Sequence, residues 1–131
     1  MQSELFNEFK KEGADGKKYD VKPADLGENI TTQGLDLLGM GVGTKLHFVN
    51  PGEDEKGEHA VVRVTGLRNP CPQISKFRDG LQERCLVRGE GKEIVGRKAG
   101  IMSVVEIGGV VMRGAKIVVE RPEKYVELPC V

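Results

Sequence analysis

Apolar positions recur along this chain with two different periods, and the change of period divides it. Near the start Leu5 and Phe9 stand one helical turn apart behind Ser3, a residue suited to capping, and Gly13 follows, so a short amphipathic helix is predicted through about Lys11. Thr44–Val49 and Glu58–Thr65 instead alternate with period two, separated by a charged turn containing Pro51 and Gly52, and predict a β-hairpin. Helical spacing returns at Ile74, Phe77, Leu81 and Cys85, with Gly80 breaking the predicted helix into two pieces. The last third is β-patterned. Ile101–Ile107 is an apolar run that predicts a strand buried on both faces, Gly108 and Gly109 turn the chain, Val110–Met112 continues the strand pattern, and Ala115–Glu120 alternates cleanly. The tail from Pro122 to Val131 predicts an edge segment with Cys130 exposed.

Between these elements lie stretches whose residues demand special backbone shapes. Residues 25–35 combine short polar side chains with Gly27 and Gly34, which predicts a structured loop, and Ile30–Thr32 suits a strand end. In Arg68-Asn69-Pro70-Cys71-Pro72, Pro70 keeps Asn69 extended and Pro72 suits the first position of a helix, which places Cys71 at the N-cap. A thiol there meets the positive end of the helix dipole, which favours its thiolate, and Arg68 pushes the same way if it folds back. The same residue would serve equally as a small packing group, and local pattern alone leaves both readings open. Cys85 falls on the core face of its helix and is a packing residue. His47 and His59 are read as solvent-facing strand residues, distant from other ligands.

Composition narrows the classes. At 131 residues the chain is long enough for one domain with its own core. Lys plus Arg number 20 and Asp plus Glu number 20, so no net charge announces a nucleic acid or an anionic membrane surface as partner. Three cysteines without CxxC or His/Cys spacing indicate neither a disulfide framework nor zinc, and fit a reducing, cytoplasmic setting. Eighteen glycines and no tryptophan predict tight turns between short strands, as in a barrel or sandwich, rather than an aromatic groove. Positive charge is local: Arg68, and the pair Arg97 and Lys98, each at an element's end.

Taken in order, Gly27-Glu28-Asn29, Gly34-Leu35-Asp36-Leu37, Arg68-Asn69-Pro70-Cys71, Arg97-Lys98-Ala99-Gly100-Ile101 and Gly108-Gly109 through Gly114 resemble the MOSC domain, named for the C-terminus of molybdenum cofactor sulfurase. The likeness runs from about residue 20 to 120 and implies one mainly β, barrel-like domain over residues 1–131 with one or two short helices. It implies a functional cysteine at Cys71, the candidate catalytic and metal-ligating residue. Two roles are open: the thiolate ligates molybdenum in a bound molybdopterin cofactor, or it carries sulfur as a persulfide. Arg68, Arg97 and Lys98 are the candidates for charge towards the cofactor, and Asn29, Thr31, Thr32 and Asn69 for hydrogen bonds. A reductase of N-hydroxylated substrates would need an electron-transfer partner; a sulfur carrier would need a pyridoxal-phosphate-dependent cysteine desulfurase; a degenerate interaction module would need neither. Many stand-alone relatives carry a longer N-terminal segment with a Gly-Asp-x-His-type motif. Here a helix precedes the Gly27 region closely, so the expectation is a barrel closed by the tail or by a second subunit, in a homodimer, or a shortened domain with an open site.

Overall fold

The computed structural model describes Met1–Cys130; Val131, the last residue of the tail read as an edge segment, lies outside the described residues. Three short helices and six strands follow one another as α1 (Glu4–Lys10), β1 (Lys45–Val49), β2 (Ala60–Leu67), α2 (Pro72–Phe77), α3 (Leu81–Arg84), β3 (Leu86–Arg88), β4 (Ile94–Arg97), β5 (Ile101–Ile107) and β6 (Lys116–Glu120). They fall into two compact units, one formed by residues 1–38, 67–101 and Cys130, the other by residues 39–66 and 102–129.

The first unit holds the helices. α1 buries Leu5, Phe6 and Phe9, the stripe that the spacing predicted. Ser3 occupies its N-cap but is helical in conformation and makes no side-chain cap bond, so burial rather than capping holds this seven-residue helix. Its other end is served from a distance: the Arg84 guanidinium donates to the carbonyls of Glu8 (2.9 Å), Lys11 (3.1 Å) and Lys17 (3.0 Å). Glu8 lies in the last turn of α1 and Lys11 is its C-cap, so the cation adds donors at the end where carbonyls run short of partners and opposes the negative end of the dipole, while Lys17 ties the following segment to the same group. Ile74, Leu81, Cys85 and Ala99 join the α1 side chains with Tyr19, Val21 and Leu26 in one core. The polar, glycine-rich segment after Cys85 is a hairpin, β3 against β4, with an irregular register between Val87 and Arg88. The Tyr19 N–H donates to the Phe9 carbonyl at 2.7 Å and joins the segment that follows to α1.

The second unit is a four-stranded sheet in the order β5-β2-β1-β6. β1 pairs antiparallel with β2, as the predicted hairpin required, and with β6 on its other side. Leu46, Phe48, Val49, Val61 and Val64 are buried in this unit. Among the described residues the ladders leave the sheet open, with β5 and β6 outermost. β5 overturns one expectation: its apolar run is exposed along nearly its whole length. An outer strand has a neighbour on one side only, and a continuous apolar run does not by itself distinguish an outer strand from a central one. Val110–Met112 is likewise not a strand. There Asn50 takes over the backbone pairing, its Nδ2 donating to Val110 O and its Oδ1 accepting from Met112 N, both at 2.8 Å.

Gly80 separates α2 from α3 with φ of +84°, and a Cβ at that position would stand 2.5 Å from the Tyr19 hydroxyl oxygen. That hydroxyl donates to the Asp79 carbonyl at 2.8 Å, so it is not free to yield. Gly80→Ala should therefore destabilise the protein by about 1–3 kcal/mol, through left-handed strain and the clash together, read from the urea unfolding midpoint. An unchanged midpoint would contradict this packing.

Candidate functional site

The site grows from the point where β2 ends and the chain turns into α2. Pro70 is buried, and Cys71 follows it in extended conformation (φ −96°, ψ 163°) at the N-cap, with Pro72 at the first helical position. The two prolines thus produce the corner that the sequence predicted. The Cys71 side chain makes no cap hydrogen bond. It is a free thiol, half-buried, with one side against the core of the first unit.

Arg68 enters the interior rather than solvent. Its backbone N–H donates to Gly100 O at 3.0 Å, and its Nη2 donates to Leu26 O at 2.6 Å. Nη1 is buried with no partner. The loop that supplies Leu26 is held by its own carboxylate: Glu28 Oε1 accepts from Ala24 N at 2.6 Å and from the Thr31 hydroxyl at 3.2 Å. That bond supports Ala24 in a left-handed conformation, φ 75°, unusual for a residue with a Cβ. Glu28 Oε2 is buried without a partner, as is the hydroxyl of Thr32. The backbone of Thr32 is fully engaged, its N–H donating to Met1 O at 2.9 Å and its carbonyl accepting from Ser3 N at 2.7 Å. The Met1 ammonium donates to Ile30 O at 2.8 Å. Burial lowers its pKa, Glu28 opposes the shift and Arg68 adds to it, so both charged side chains lie within electrostatic reach of one group.

The structure therefore gathers Arg68, Thr31 and Thr32 around residues 24–32, and adds Glu28, which sequence reasoning passed over. Its only signal was its place inside Gly27-Glu28-Asn29. Asn29 is exposed. Asn69 and Arg97 form a pair of their own, Arg97 Nε donating to Asn69 Oδ1 at 3.0 Å. Lys98 is drawn elsewhere, its Nζ lying 3.3 Å from Glu8 Oε2 on α1.

Three buried polar atoms without partners are a costly set, about 1–3 kcal/mol each when nothing else satisfies them. Together they offer a cationic donor, an anionic acceptor and a hydroxyl that does either. That mixture suits a group carrying both a phosphate and ring N–H donors, so these residues fit a pterin phosphate. No cluster of three or more His, Cys, Asp or Glu side chains among the described residues is arranged to hold a metal ion by itself. Cys71 would be the single protein ligand to a metal whose remaining ligands come from such a cofactor.

In the second unit the two histidines read as solvent-facing strand residues are instead half-buried and meet each other, His59 standing just before β2. His47 Nδ1 lies 2.8 Å from His59 Nε2, and His47 Nε2 lies 3.3 Å from Glu120 Oε1. His47 opposes Val61 on β2 and Val118 on β6, so a residue two places along from each, His59 and Glu120, shares its face. The histidines border an open groove of about 940 Å³ with Asn50, Glu58, Ile107 and Val110.

Cys85 is the contrasting thiol. It is fully buried in the first unit, and burial pushes its pKa up to about 11, against the weaker opposing pull of Arg68 and Arg84. The native thiol keeps a proton that the unfolded chain releases above its ordinary value of 9.0. Stability contributed by Cys85 should thus be complete below about pH 9 and fall by up to about 2–3 kcal/mol as pH rises towards 11. The difference in unfolding free energy between wild type and Cys85→Ala should shrink across that window. A pH-independent difference would show that the thiol is not desolvated as described.

Comparison with known proteins follows this geometry. A family model described as the MOSC domain matches residues 2–118. Among solved structures, the crystal structure of YiiM from Geobacillus stearothermophilus superposes with a TM-score of 0.62 at 22% sequence identity. The superposition covers 92% of this chain and 52% of that one, so the chain spans about half the length of that structure, and at this identity the likeness is one of fold. A search of curated proteins gives no significant match. With the family model extending over nearly its whole length, the chain belongs to the MOSC domain family.

Proposed function

We propose that this domain binds the molybdenum–pterin cofactor, with Cys71 as the protein's thiolate at the metal and with Arg68, Glu28 and Thr32 holding the organic part. MOSC domains are generally linked to molybdenum cofactor binding. The observation that carries the reading for this chain is the unpartnered Nη1 of Arg68, three residues before Cys71, with the unpartnered Glu28 Oε2 and Thr32 hydroxyl on the loop whose Leu26 carbonyl Arg68 holds. Arg68 Nη1 would donate to a phosphate or carbonyl oxygen, Glu28 Oε2 would accept from a ring N–H, and Thr32 would complete either bond. Leu26 O fixes the Arg68 fork in advance, so little side-chain entropy remains to be lost on binding. Asn29, Asn69 and Arg97 would meet the cofactor only from the solvent side. The bound group would supply a redox-active metal centre. Cys71, softly polarisable and free of a cap bond, would anchor it as thiolate.

A second reading, in which Cys71 carries sulfur as a persulfide, is favoured by its isolation. The described cysteines are all free, and Cys85 is sealed in the core. A desulfurase would be the partner there, and an electron-transfer protein would be the partner if the metal acts on an N-hydroxylated substrate. A cytoplasmic location belongs to the same proposal, supported by the free thiols. The barrel-like closure that the family resemblance implies is also a proposal; it would require the open sheet to continue past β5 or β6.

Native mass spectrometry with metal analysis, on protein from a host that makes molybdenum cofactor, tests these readings. Wild type should carry molybdenum and a pterin-sized adduct, and Cys71→Ser should lose the metal while its unfolding free energy changes by no more than about 1 kcal/mol. A metal-free wild type with a sulfur-mass increment on Cys71 would instead select the carrier role. Neither adduct nor increment would overturn both.

A further inference from the structure

β5 presents what soluble sheets ordinarily conceal. It is outermost in its sheet, paired with β2 on one side, and no ladder among the described residues reaches its other edge. Its row of outward N–H and C=O groups is therefore an open template for another strand. Side chains on both of its faces are apolar and exposed: Val104 is 43% and Val105 69% accessible, and Met102 and Ile107 are exposed as well.

The usual protections are missing. Residues 102–107 contain no proline and no lysine. Their one charge, Glu106, is already neutralised from the inner strands, by Arg63 at 2.9 Å and Lys45 at 3.2 Å. The opposite edge differs. β6 is half-buried along Ile117–Val119, and its end is followed directly by Arg121 and Pro122, a charge and a residue without an N–H that disfavour further pairing. The sheet thus has one guarded edge and one receptive edge.

We propose that a second copy of this chain pairs with β5, antiparallel about a two-fold axis, to form a continuous eight-stranded sheet across a homodimer. The strand is compatible with itself. With the axis at Val104, Met102 faces the partner copy's Glu106 and Ser103 faces its Val105, so no like charges oppose. Nor does net charge resist association, since acidic and basic residues balance at 20 each. Use of the same edge by both copies closes the assembly at two, and the guarded β6 edges stop it growing into a filament. The proposal stands apart from cofactor binding, because it needs only the second unit's sheet.

Sedimentation velocity on the 131-residue chain, from low to high micromolar, should show a species of twice 14.3 kDa that dissociates on dilution. Val105→Lys, at a solvent-facing position, should weaken dimerisation about tenfold or more with an unchanged circular dichroism spectrum. Hydrogen exchange supplies a second readout on the wild type: amides of residues 102–107 should gain protection as concentration rises. A monomer throughout the range, a dimer indifferent to Val105→Lys, growth beyond the dimer, or exchange in β5 independent of concentration would each overturn the proposal.

Discussion

A guanidinium taken out of water must be answered by acceptors, and Arg68 is answered only halfway. Leu26 supplies one carbonyl at 2.6 Å and the second terminal nitrogen has none. The single bond made ties the residues before Cys71 to the loop of residues 24–32. The bond left unmade keeps a polar atom poised in the same place. Glu28 repeats the pattern, with one oxygen holding the loop in its strained shape and the other unpaired. Structural support and an unpaired polar atom therefore sit on the two halves of the same side chains. Removing either side chain would disturb the loop as well as any ligand, so Cys71, which makes no cap bond, is the cleaner probe of function.

Parts of this were legible in the residues because the physics is local. Pro70 and Pro72 dictate a corner whatever surrounds them, and Gly80 breaks a helix wherever the helix lies, so the path around Cys71 could be drawn in advance. The α1 stripe was equally plain. Other features depend on partners far along the chain. An apolar run reads alike in a central and an outer strand, which is why β5 was expected inside. His47 and His59 lie twelve residues apart and meet through hairpin register, which periodicity does not specify. The β3–β4 hairpin hid behind glycines and charges because both of its strands are short and largely exposed.

The candidate cations show the same division. Arg68, Arg97 and Lys98 are equivalent as charges in a sequence, yet the structure gives them three fates: an interior carbonyl, a neighbouring asparagine, and a carboxylate on α1. Charge count identifies which residues could serve an anionic group. Hydrogen-bond geometry and burial together separate them, and among the three it is one nitrogen of Arg68 that is buried without a partner.

Arg84 carries a consequence of another kind. Its guanidinium completes the C-terminal end of α1 across 76 residues of chain to Glu8, and the two long stretches of the first unit have residues 39–66 between them. An isolated seven-residue helix is not stable, so α1 must wait for its distant partners before its own hydrogen bonds are worth forming. Loop-closure entropy is spent before any of this core repays it. The order of events is then set by topology: this unit should belong to the slow, high-contact-order class of folders, and a nascent chain would hold an unformed α1 until residues near Arg84 have emerged.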